Sequence, residues 1–161
     1  MRFLAIVLAA ALTAMAWDQN QPKPGVVQPE YKVKKDGLKP LLVQLGYKPK
    51  ELGNGVMEIQ IPKDDDTVFV AVSLSSSLSK IWLTGSFGAL TEKETKDPEF
   101  LLSLLEKNGE IQPTHFYVRK GKLSIGVPVD NRVATPSILK KEIDIFSDNV
   151  IKTKEFWQRH E

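Results

Sequence analysis

The chain has 161 residues, of which 42% are apolar and 26% charged, a balance that supports a globular domain with its own core and excludes a disordered or fibrous chain. A formal net charge of +2 is too small to point to nucleic acid or a membrane surface. There is no Cys, which excludes disulfides, thiol nucleophiles, thiolate metal sites and a Cys-linked lipid anchor.

Residues 1–16, MRFLAIVLAAALTAMA, read as a secretory signal peptide. Arg2 supplies the positive start, Phe3 to Leu12 an unbroken apolar run, and Ala14-Met15-Ala16 a small-x-small cleavage site. The run is shorter than the ~20 residues that span a bilayer. The expected location is periplasmic or secreted, with no membrane span after removal of the signal. Residues 17–30 carry Pro22, Pro24 and Pro29 and read as a Pro-rich linker. A single domain is expected over residues 31–161.

The domain opens with a short helix. Asp36 is a candidate cap, Leu38, Leu41, Leu42 and Leu45 form the apolar face, and Gly46 can end it. Pro40 is tolerable in the first turn, and Pro49 keeps Lys48 out of helical angles. Three strands follow. Val56–Ile61 places Met57, Ile59 and Ile61 on one face, and Thr67–Leu74 places Val68, Val70, Val72 and Leu74 on one face. Ile81–Thr84 sets Ile81 and Leu83 opposite Trp82. Short connections favour antiparallel neighbours, so the three read as a meander. The run Asp64-Asp65-Asp66 lacks the Asp-x-Asp-x-Asp-Gly spacing of a calcium loop and reads as a solvated hairpin turn. Gly85 to Leu90 reads as a flexible Gly-rich joint, without the Gly-Lys-Ser/Thr ending of a phosphate loop.

The best-marked helix is Asp97–Gly109. Asp97 is the cap, Pro98 the first helical residue, and Asn108-Gly109 the expected end. Phe100, Leu101, Leu102, Leu104 and Leu105 cover roughly 200° of its circumference at about 100° per residue, wider than a surface helix needs. Either the helix is wedged deep in its own domain, or one face lies on the sheet and another on a second subunit. A hairpin follows, Thr114–Arg119 and Lys122–Val129 around Lys120-Gly121, with Phe116 and Val118 alternating with His115 and Tyr117. Pro128 suggests an edge or a strand end. The last helix starts at Thr135-Pro136 and is expected to run to about Arg159, with Leu139, Ile143, Phe146, Val150 and Trp157 as its stripe. Asp148–Lys152 and Glu155–Arg159 are expected as exposed ion pairs on it. The order α-β-β-β-α-β-β-α predicts an α+β fold, a mostly antiparallel five-stranded sheet with three helices.

Leu41-Leu42 with Leu45-Gly46-Tyr47, the helix ending Leu104-Leu105-Glu106-Lys107-Asn108-Gly109, Phe116, and Gly121-Lys122-Leu123 running into Pro128 carry a resemblance to type III secretion chaperones and the related YbjN-type domains. It covers residues 31–158. The resemblance implies a protein-binding and often dimeric module without catalytic residues.

A search for chemistry in the residues themselves finds no constellation. The two histidines, His115 and His160, show no ligand spacing. There is no Gly-x-Ser-x-Gly elbow, and Ser77 with Lys80 has the Ser-x-x-Lys spacing without its companion motifs. No cofactor or metal is expected. The expectation is an exported, non-enzymatic adaptor or chaperone-like domain that binds a protein partner and forms a homodimer through residues 97–109, with Trp82, Phe100, Leu101 and Leu104 as candidate contact residues. The alternative is a small-molecule or carbohydrate-binding domain, or an enzyme of unrecognised type, with its pocket between sheet and helices.

Overall fold

The structure, a computed structural model, describes residue 30 and residues 32–154. The signal and linker expectations fall outside these residues, as do Trp157, His160 and the Glu155–Arg159 pair.

Hydrophobic alternation builds one antiparallel sheet of six strands: β1 (Lys50–Gly53), β2 (Val56–Lys63), β3 (Asp66–Leu74), β4 (Lys80–Ala89), β5 (His115–Arg119) and β6 (Lys122–Asp130), in the order β1-β2-β3-β4-β6-β5. The class is α+β as expected, with one strand more than the five foreseen. All four residues of β1 are exposed, so no apolar period announces it. The signal it did leave is its turn. Asn54 and Gly55 both have positive φ, the geometry of a two-residue hairpin that Asn-Gly favours.

The middle strands form the expected antiparallel meander, with the expected residues on the core face. Met57, Ile59 and Ile61 lie opposite Val72, Val70 and Val68, and all six are buried. Asp64 and Asp65 form the turn of this hairpin, as expected, while Asp66 opens β3 and holds Lys154 at 2.6 Å. The Gly-rich stretch is not a joint. It continues β4 to Ala89, with Gly85 opposite Ile125. A Cβ on Gly85 would stand 3.1 Å from Ile125 Cγ2 and 3.7 Å from Phe146 Cζ, so the glycine lets the last helix sit close on the sheet. Pro128 lies in β6, which is internal rather than an edge. However, β5 reaches only as far as Gly126, so beyond it Pro128 has a strand neighbour on one side only.

Among the described residues four α-helices flank the sheet: α1 (Leu38–Gln44), α2 (Glu92–Lys96), α3 (Pro98–Glu110) and α4 (Pro136–Lys152). The first is entered through a 3-10 turn at Lys35–Gly37. Asp36 therefore lies inside that turn and makes no capping bond, contrary to expectation. Gly46, at φ +87°, ends α1 as foreseen. The short α2 was missed although Thr91 and Glu94 spell out a capping box, each bonding the other's backbone N–H. In α4, Thr135 caps, Pro136 follows, and Leu139, Ile143, Phe146 and Val150 are all buried across β2, β3, β4 and β6. The expected Asp148–Lys152 pair does not form. Asp148 takes Lys63 of β2 at 2.5 Å, and Lys152 donates to the Glu110 carbonyl at 3.0 Å.

Candidate interaction surfaces

Helix α3 begins as read. Asp97 Oδ1 accepts the N–H groups of Glu99 and Phe100 at 3.0 and 3.3 Å. Its end differs: Gly109 stays within the helix, which runs on to Glu110. The terminal carbonyls find partners on α4 instead of in a left-handed cap. Lys152 bonds the Glu110 carbonyl, and Asn149 Nδ2 donates to the Ile111 carbonyl at 2.8 Å.

The wide apolar arc of α3 is divided. Leu104 is buried, Phe100 packs against the core, and Ile111 just beyond the helix is fully buried. Leu101, Leu102 and Leu105 keep 38%, 56% and 68% of their surface exposed. The helix is therefore not wedged inside its own domain. It leans on β5 at the margin of the sheet, where only one side of it can be covered.

Asn108 uses that position. Its side chain accepts the Phe116 N–H at 2.5 Å and donates to the Phe116 carbonyl at 3.2 Å, taking both outward backbone groups of that residue on edge strand β5. An edge strand left open invites another chain, and here a side-chain amide stands in for the missing strand.

The sheet has a second face that no helix covers among the described residues. Trp82 lies there, as the alternation with Ile81 and Leu83 implies, beside Ser73 on β3 and Pro128 on β6. The next row is Thr84, Gly126 and His115, then Ser86, Ser124 and Tyr117, and last Ala89, Lys122 and Arg119. The rings of His115 and Tyr117 are 5.8 Å apart. Tyr117 lies over Gly126, where a Cβ would meet its Cε1 at 3.1 Å. Two shallow cavities open here, one of about 590 Å³ reaching from Trp82 to Arg119 and one of about 370 Å³ between Tyr117, Arg119, Lys122 and Ser124.

Charge is uneven along this face. Arg119, Lys120 and Lys122 make no salt bridge among the described residues. At the other end Asp130 is held by Arg132 and by Lys80 at 3.3 Å. The Arg132 guanidinium and backbone N–H, with Lys80, hold the Asp130 carboxyl well below the usual carboxylate range.

The four candidate residues thus do not form one site. Trp82 stands on the open face, Phe100 and Leu104 turn inward, and Leu101 turns outward with Leu102 and Leu105. Sequence reasoning missed the row from Trp82 to Arg119: alternation puts His115, Tyr117 and Arg119 on one face of β5, but only the placement of β6 between β4 and β5 aligns them with Trp82. Among the described residues no three His, Asp or Glu side chains gather to hold a metal, and no helix is long and apolar enough to cross a membrane.

The element order and antiparallel sheet define an α+β fold of the YbjN type. Among solved structures, the chain is similar to YbjN from E. coli, with 11% identity and a TM-score of 0.55 over 76% of this chain and 92% of that one. The ExsC–ExsE complex is also matched, at 16% identity and a TM-score of 0.45, over 78% of this chain and 91% of that one. No family model and no curated protein matches the sequence.

Proposed function

We propose that this chain is an exported, non-enzymatic protein-binding domain that pairs with a second copy of itself through α3 and presents the open sheet face to a protein partner. The observation that carries the reading is the divided arc of α3. Leu101, Leu102 and Leu105, at positions i, i+1 and i+4, form a leucine surface on a helix whose opposite side is anchored in the core. Apolar surface of this kind gains free energy when covered, and a two-fold contact sets the same three leucines against themselves. The shared fold agrees with the reading through the resemblance to protein-binding modules.

Light scattering on the chain lacking residues 1–16, with and without Leu101→Glu and Leu105→Glu together, tests the pairing. The expected result is a dimer that the double variant converts to a folded monomer. A wild-type chain that stays monomeric at high concentration removes this part. Affinity capture from envelope and secreted extract, with mass spectrometry as readout, tests for the partner. One protein recovered near equal stoichiometry supports the reading, and no protein above background removes it.

The second reading, a small-molecule or carbohydrate-binding domain, is favoured by the size of the open-face cavities, which fall within the range of ligand pockets. A thermal-shift screen that finds a stabilising small ligand, with no protein captured, selects it.

A further inference from the structure

We infer that the open sheet face is a polar-ended docking surface for an extended acidic peptide segment, whose carboxylates sit on Arg119, Lys120 and Lys122 and whose apolar or aromatic residues lie over Tyr117, His115 and Trp82. This rests on the protein-binding reading above and adds the chemistry of the partner.

The charges carry it first. Three cations gather at one end of the face without a carboxylate partner among the described residues. Across β4, β6 and β5 the only carboxylate of this face is Asp130, at the opposite end and already held by Arg132 and Lys80. The cationic end therefore has its charge available for an incoming anion. Exposed cations of this kind steer and select partners more than they add raw affinity.

The second support is the spacing. The row of Trp82 and Pro128 lies six residues along β6 from the row of Lys122 and Arg119. At ~3.4 Å per residue that is about 20 Å, the length of roughly six residues of extended chain. Between the two ends lie half-buried rings and the exposed hydroxyl of Ser86, which can bond a passing backbone.

Third, the edge strand next to this face is partly occupied. Asn108 already bonds both outward backbone groups of Phe116, so a strand added along β5 would have to displace it. Recognition by side chains on the face needs no such displacement. A single-stranded nucleic acid could also use rings and cations. It would carry negative charge along its whole length and meet Asp130 at the aromatic end, whereas a peptide can place its carboxylates at one end only.

Fluorescence anisotropy of the purified protein with a labelled dodecapeptide of repeating Glu-Gly-Tyr-Gly tests the inference. The same peptide with Lys for Glu, and an oligo-dT strand, serve as comparisons. The acidic peptide should bind, weaken with salt, and weaken by about tenfold or more in the double variant Arg119→Glu, Lys122→Glu. Trp82→Ala should also weaken it. Circular dichroism should show both variants folded, since Arg119 and Lys122 are exposed and Trp82 lies outside the buried core. Equal binding of the Lys peptide, tighter binding of oligo-dT, no binding of the acidic peptide, or a double variant that binds like wild type would each overturn it. Capture with the double variant separates the two claims. A partner held equally by wild type and variant keeps the protein-binding reading and removes this one, whereas a wild-type chain that captures nothing removes the reading beneath it.

Discussion

The two faces of the sheet are built from alternate residues of the same strands, yet they differ in almost every respect. One face holds Ile59, Val70, Leu83 and Ile125, all fully buried under α4. The other holds Trp82, Thr84, Ser124 and Tyr117 and, among the described residues, has no comparable helix over it. Aliphatic side chains fill a closed interior at high density, and nothing on that face needs a partner. Rings and hydroxyls mixed with unpaired cations make poor core but a good contact surface. The difference teaches where to look for stability and where to look for recognition, and it can be tested directly.

The largest expected effect is on the covered face. Phe146→Ala empties the centre of α4 and should cost about 3–5 kcal/mol in denaturant unfolding. Trp82→Ala on the open face should cost no more than about 1 kcal/mol in the same measurement. If the two losses come out equal, the faces do not divide these roles. The next effect lies between the faces. Gly126→Ala puts a Cβ 3.1 Å from Tyr117 Cε1 and 3.2 Å from the Leu83 carbonyl, and a backbone carbonyl cannot swing aside. A loss of about 1–3 kcal/mol is expected, together with weaker acidic-peptide binding as Tyr117 is lifted. A neutral Gly126→Ala would show that the ring is not seated there.

Smaller still is the cap of α3. Asp97→Ala removes the acceptor of two N–H groups and should lower stability by about 1 kcal/mol, seen as a lower melting temperature. A curve that does not move would take the cap out of the account. The smallest effect concerns Asp130. Its carboxyl is held below its ordinary value of 3.8, chiefly by the hydrogen bond from Arg132. The ionised form is favoured in the fold, so this contribution is fully present above that pH and is lost as acid titrates the folded carboxyl below it. Asp130→Asn should flatten the acid limb of the stability profile. An unchanged limb would show that the clamp has no linkage to folding.

Most of the covered face was legible in the sequence because burial imposes a period. Val68, Val70 and Val72, or Leu139, Ile143 and Phe146, can be read without coordinates. Strand β1 was not, because all of its residues face water and only Asn54-Gly55 marked its turn. The end of α3 was misread for a related reason. Gly109 is a good local stop, but Lys152 and Asn149, some forty residues away in sequence, satisfy the last carbonyls, and no local pattern reports that. The candidate surfaces were half legible. The leucine arc of α3 could be seen but not which leucines remain outside. Trp82 could be placed opposite the core, but its row to Tyr117 and Arg119 depends on β6 lying between β4 and β5, a fact of topology rather than of period.

Asn131 has a consequence for how the chain completes its fold. Fully buried, it bonds the N–H and carbonyl of Val33 at 2.9 and 2.8 Å and the Leu78 carbonyl at 2.7 Å. It thereby joins three segments, the first of them 98 residues away in sequence. A contact that closes so long a loop is costly in chain entropy until the intervening sheet exists. The N-terminal stretch at Val33 should therefore be latched last in folding and released first in partial opening. Protection of the Val33 amide against hydrogen exchange would then report the latch alone, while the amides of β3 report the whole domain.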